Sequence, residues 1–230
     1  MARLLATLAV VLVLALAACK NPHLTNTGTP KGIAERIDCI AGTPEAIMGC
    51  VERAVAGSEG YSLTITGHNF VLPEWGGIDS GTIEVGTDGP VVRGDVERTG
   101  DGPYALVSLN GETFFQRSTC DHMARVPGGG ATVVRPFLLG TSGALSRATN
   151  VRFGGSANKG FIALRANIED LGDVFIQLDT STYLPYRLVK EGGPNGESQF
   201  QWLFSDWGQI PSVSKPAGIP PDQGPGGNPC

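Results

Sequence analysis

Cys120, Asp121 and His122 place a thiol, a carboxylate and an imidazole at three consecutive positions, the groups that a nucleophilic triad would use. Neighbours in an extended segment point to alternate faces, and triads are assembled from distant parts of a chain, so this adjacency argues against joint action. Gly140-Thr141-Ser142-Gly143 falls one position short of a Gly-x-Ser-x-Gly elbow. Gly128-Gly129-Gly130 lacks the lysine of a phosphate loop and reads as a plain glycine loop. Glu74, Asp79, Asp95 and Asp101 read as solvated carboxylates in turns and at strand edges. His23, His68 and His122 are scattered, and no Cys-x-x-Cys spacing accompanies them, which argues against zinc. No catalytic residue, metal or cofactor is expected from these groups.

Cysteine chemistry is more informative. Leu4 to Ala18 is a 15-residue uncharged run behind Arg3, too short to span a bilayer comfortably, and it reads as a cleaved signal (residues 1–18). Leu16-Ala17-Ala18-Cys19 resembles the bacterial lipobox, in which the thiol receives a diacylglycerol before cleavage leaves the cysteine as the first residue. That resemblance implies that Cys19 is a lipid anchor holding the chain at the cell membrane, facing the periplasm. Four further cysteines, Cys39, Cys50, Cys120 and Cys230, are an even number in a compartment that permits disulfides. Three pairings are open. The short loop between Cys39 and Cys50 favours that bridge, which leaves Cys120 for Cys230, each contributing roughly 2–4 kcal/mol.

Cleavage after Ala18 removes one cation and no acid, taking the net charge from −5 to −6. With no Lys/Arg run, nucleic acid is excluded as a partner. The 33 Gly and 16 Pro with 7% aromatic residues point to turns and short strands in one domain. Residues 19–32 form a polar tether, 33–216 the folded domain, and 217–230 a Pro/Gly-rich tail ending in Cys230. The protein is expected to be a monomer.

Within the domain, Thr43 can cap a helix, Pro44 suits its first position, and Glu45 complements its dipole. Ile47, Met48, Val51 and Val55 then share one face, and Gly57 and Gly60 end the element. Short alternating runs follow: Tyr61–Thr66, Thr82–Val85, Val91–Val96, Tyr104–Leu109 and Thr113–Arg117, then Asn150–Phe153, Phe161–Ile168, Val174–Leu178, Tyr186–Val189 and Gln199–Phe204. Asn110-Gly111 is a hairpin signal. Between Pro136 and Ala148, Phe137, Leu138, Leu139 and Leu145 recur near helical spacing, which predicts a short helix capped by Thr141 or Ser142 and running to Arg147. The pattern is α+β: a single antiparallel sheet that must curve around helices on one side, with an apolar cavity where they leave the concave face unfilled.

Several stretches resemble the LppX/LprG-type lipoproteins of actinobacteria. Met48 to Gly57 leading into Tyr61 to Gly67 is similar to their opening helix and first strand, and Phe137 to Leu145 to their central Leu-rich segment. Phe200-Gln201-Trp202-Leu203-Phe204-Ser205-Asp206-Trp207-Gly208 followed by Val213-Ser214-Lys215-Pro216 resembles their final strand and Ser-x-Trp-Gly…Pro finish. Leu178 to Arg187 resembles the Asp…Thr…Leu-Pro-x-Arg hairpin shared with the wider LolA/LolB carriers. The resemblance implies a half-barrel with a central apolar cavity, holding the acyl chains of a lipid or glycolipid for carriage across the periplasm towards the outer envelope, with a membrane lipid exporter as a further partner. The four cysteines and the Cys-terminated tail depart from this pattern. From the apolar sides of the strands, the expected cavity lining is Leu63, Ile65, Ile83, Val85, Leu106, Phe114, Phe153, Ile162, Leu164, Val174, Ile176, Leu178, Leu188, Phe200 and Trp202. The competing reading is a non-enzymatic scaffold or accessory lipoprotein in which the same residues pack as a filled core.

Overall fold

The computed structural model describes residue 39 and residues 42–87, 91–126, 130–139, 143–192 and 199–216. The first helix, α1 (Pro44–Ala56), begins as its sequence dictates: Thr43 is extended and its Oγ1 accepts from the Ala46 N–H at 3.4 Å. Ile47, Met48, Val51 and Val55 are buried on one face, joined by Cys50. A disulfide links Cys50 to Cys39 and ties the helix to the chain before it. Cys120 is also disulfide-bonded; its expected partner, Cys230, lies outside the described residues, as do Cys19, the signal, the tether and the tail.

Eleven strands then form one antiparallel sheet. They are β1 (Gly60–Leu72), β2 (Gly76–Gly86), β3 (Val91–Arg98), β4 (Gly102–Leu109), β5 (Glu112–Arg117), β6 (Ala124–Arg125), β7 (Ala148–Phe153), β8 (Phe161–Ile168), β9 (Gly172–Asp179), β10 (Pro185–Lys190) and β11 (Gln199–Ser205). The order β6-β5-β4-β3-β2-β1-β11-β10-β9-β8-β7 places the first long strand beside the last and leaves β6 and β7 as open edges. The sheet is therefore a half-barrel, not a closed one. Asn110 and Gly111 both adopt positive φ (53° and 78°), the geometry of the two-residue β4–β5 turn. Asp179 Oδ1 accepts from the backbone N–H groups of Ser181 and Thr182 at 2.8 and 2.9 Å, so the β9–β10 connection is closed by its own carboxylate. At Gly94 the strands β2 and β3 approach so closely that a Cβ would lie 2.3 Å from the Thr82 carbonyl oxygen, and only glycine fits this part of the curve.

β6 has no counterpart in the sequence reading, and two further features differ from it. β1 runs on to Leu72 through an irregularity between Thr66 and Phe70, where Asn69 takes φ 51°. The Leu-rich insertion is not one helix ending at Arg147. It begins earlier, with α2 (Ala131–Val134), passes into a 3₁₀ turn at Arg135–Phe137 and forms a second 3₁₀ turn at Leu145–Arg147. Thr141 and Ser142, the expected caps, lie outside the described residues. The reason for the broken form is tertiary: the insertion is held by side chains reaching from the sheet. Tyr61 donates its hydroxyl to the Phe137 carbonyl (2.7 Å) and accepts from the Leu139 N–H (3.0 Å), while Trp75 Nε1 donates to the Val133 carbonyl (2.9 Å). Burial pushes the Tyr61 hydroxyl far above its ordinary pKa, so it remains neutral and serves as both donor and acceptor. Tyr61→Phe would orphan a buried carbonyl and a buried N–H, and a loss of about 1–3 kcal/mol is expected in urea unfolding. Stability within ~0.5 kcal/mol of wild type would show that the insertion does not depend on this clasp.

Candidate functional site

The concave face carries one apolar row that crosses most of the sheet. Pairing aligns Tyr104 with Val96, Val96 with Gly81, Gly81 with Ile65, Ile65 with Trp202, Trp202 with Leu188, Leu188 with Ile176, Ile176 with Leu164, and Leu164 with Phe153. Directly opposed residues share a face, so the row is continuous from β4 to the β7 edge. Its middle is buried beneath the insertion, where Phe137 sits 6.2 Å from Trp202 and 5.6 Å from Trp75. Phe70, Phe200 and Phe115 complete this aromatic cluster. α1 closes another part of the concave side, and Trp207, from the turn after β11, stacks 4.9 Å from Tyr61. The Gly208 N–H donates to the Gly60 carbonyl at 2.8 Å, which fixes that turn against the start of β1.

Most of the expected lining lies on this face. Leu63, Ile65, Ile83, Val85, Leu106, Leu164, Val174, Ile176, Leu178, Leu188, Phe200 and Trp202 are buried in a single core, and Ile162 packs against it partly exposed. Two residues do not fit the expectation. Phe153 is 57% exposed, because β7 is an edge strand whose inner side is not covered there. Phe114 is buried but faces outward: its neighbour Phe115 occupies the core beside Trp75 and Tyr104, and Lys215 lies 5.8 Å above the Phe114 ring. Adjacent phenylalanines satisfy alternation in either register. Here the C-terminal stretch, with Lys215 paired to Glu112 at 2.6 Å and Arg93 donating to the Ser212 carbonyl at 3.1 Å, covers the outer ring.

The chemistry-bearing groups are not gathered on the concave face. His122 Nδ1 lies 2.7 Å from Asp121 Oδ1, a contact that holds the Asp121 carboxyl below the usual carboxylate range, and the Asp121 side chain is exposed to solvent. Asp101 is held low by the Tyr104 hydroxyl and by Arg117 and Arg98, a strand-end cluster that joins β3, β4 and β5. Among the described residues, no three or more His, Cys, Asp or Glu side chains converge to hold a metal, and no helix is long and apolar enough to cross a membrane.

An open antiparallel half-barrel whose concave side is apolar and covered by short helices is the fold of the LppX/LprG-type lipoproteins. In structure the chain is similar to the Mycobacterium tuberculosis lipoprotein LppX, with TM-score 0.54 and 13% identity over 74% of this chain and 98% of that one. It is likewise similar to LprF from Mycobacterium bovis, with TM-score 0.50 and 16% identity over 77% of this chain and 100% of that one. No protein-family model and no curated protein matches the chain.

Proposed function

We propose that this chain is a cell-envelope lipoprotein, anchored through Cys19, that binds the acyl chains of a lipid or glycolipid on its concave face and carries them across the periplasm. The observation that carries this reading is the apolar row ending in exposed Phe153. Such a row presents acyl chains with an exposed apolar residue at the β7 edge that is continuous with the buried apolar residues beneath the insertion. The work to be done is large: exposing a ~16-carbon chain to water costs on the order of 12 kcal/mol, so unaided transfer between membranes is slow. Carriage needs apolar walls and no covalent chemistry. The second reading, a scaffold with a filled core, draws on the aromatic cluster in which Phe137 and Trp202 pack together.

Phe153→Ser separates the two. An exposed side chain contributes little to stability, so unfolding free energy is expected to stay within about 0.5 kcal/mol of wild type. Lipid co-purifying with the unacylated protein, measured by mass spectrometry of organic extracts, is expected to fall several-fold. Wild-type protein that yields no lipid and takes up no fluorescent fatty acid would reject carriage and leave the scaffold.

A further inference from the structure

The opposite, convex face carries a polar groove. Where β1, β10 and β11 run side by side, a groove of about 470 Å³ is lined by Thr66, His68, Arg187, Glu191, Gln199 and Gln201, among others. Register places Thr66 opposite Gln201 and His68 opposite Gln199, each one residue out of phase with the inward-facing Ile65, Phe200 and Trp202. These polar side chains therefore face away from the concave row.

Arg187 is the unusual member. Its Nε is buried without a hydrogen-bond partner, as are those of Arg98, Arg117 and Arg135, but among the described residues Arg187 alone of these four has no carboxylate paired with its guanidinium. The other described arginines beyond α1 all meet one: Arg93 with Glu84, Arg98 and Arg117 with Asp101, Arg125 with Glu112, Arg135 and Arg147 with Asp170, and Arg152 and Arg165 with Asp173. Glu191, the carboxylate that lines the groove, is engaged by Arg165 at 3.1 Å. A half-buried cation without a counter-charge is costly, and the forked guanidinium is suited to binding an oxyanion through two donors at once. The groove is also larger than a bare phosphate requires, and besides Glu191 its lining adds a second cation, Lys190, with one hydroxyl, two amides and an imidazole.

We infer that this convex groove binds a phosphate ester of a small polyol, with the phosphate on Arg187 and the hydroxyls on Thr66, Gln199 and Gln201. The same chemistry occurs free in solution and as a membrane lipid headgroup. Both sources are tested with the full chain carrying Cys19→Ala, titrated with glycerol 3-phosphate and, separately, with phosphatidylglycerol or phosphatidylcholine vesicles. Saturable binding of glycerol 3-phosphate, seen by calorimetry and by shifts of the Gln199 and Gln201 side-chain amides, is expected for a free ligand. Binding only to phosphatidylglycerol vesicles identifies the headgroup. In either case Arg187→Gln is expected to weaken binding at least tenfold. Gln201→Glu, which supplies the missing carboxylate near Arg187 without removing the cation, is expected to do the same while the melting temperature is maintained. Phe153→Ser should leave this binding unchanged, so failure of acyl binding and failure of this site are read separately. Absence of binding to either probe, or binding unaltered in both groove variants, would overturn the inference.

Discussion

Cys19→Ala is expected to move the protein from the membrane to the soluble fraction. The Leu16-Ala17-Ala18-Cys19 run resembles a lipobox, and a diacylglyceryl group on the cysteine would bring two chains. At about 0.8 kcal/mol per methylene, two ~16-carbon chains represent on the order of 25 kcal/mol of transfer free energy, enough for stable anchoring without a second signal. Among the described residues no helix offers an alternative span, and the polar residues 20–32 offer no apolar surface of their own. Removing one sulfur atom should therefore remove the whole anchorage. Fractionation of cells making the variant, with intact-mass measurement of the wild-type protein, checks this. A variant that stays with membranes, or a wild-type mass without acyl groups, would reject Cys19 as the anchor.

Trp202→Ala is expected to cost about 3–5 kcal/mol in chemical denaturation, enough to threaten a domain of ordinary stability. Trp202 is completely buried at the middle of the concave row, with ring centres 5.3, 6.2 and 6.3 Å from Phe200, Phe137 and Phe70. Alanine would leave a void bordered by three aromatic rings that belong to two strands and the insertion, and these cannot all collapse into it. Trp202→Phe should behave differently. The indole Nε1 is buried without a partner, so losing that donor relieves an unsatisfied group worth about 1–3 kcal/mol and offsets part of the lost volume. A net cost under about 2 kcal/mol is expected for the phenylalanine variant. Equal losses for the two variants would mean that the indole N–H makes a bond that stabilises the native protein.

These expectations draw on different levels of organisation. Residues 43–56 announce their helix through a cap, a proline at the first position and four apolar residues on one face, all within a few turns of chain. Each strand expected from alternation is present, because a strand buried on one side must repeat its apolar residues with period two. The Asn110-Gly111 turn and the Cys39–Cys50 bridge were equally legible, since each depends on residues close in the chain. The exception among short elements is β6, whose two residues are too few to show a period.

What the sequence left open depends on partners far away in the chain. Whether Phe114 or Phe115 enters the core is decided by Lys215 and its neighbours, about a hundred residues later, which cover the outer ring. The Leu-rich insertion is bent into short turns by Tyr61 and Trp75, which lie 76 and 58 residues from the carbonyls they bind. Phe153 reads as a buried strand residue and becomes exposed because β7 is the last strand of the sheet, a fact of strand order that no local pattern contains. Arg187 reads as one more strand arginine; only the assembled convex face shows that, among the described residues, no carboxylate pairs with it and that Glu191 is engaged by Arg165. Local patterns follow from the geometry of one element, and the sequence by itself therefore determined the helix, the strands and, except in β5, their inner faces. Edges, coverings and counter-charges arise from packing between elements that meet only when the sheet curves and its first and last long strands pair, so the tertiary structure alone decided them.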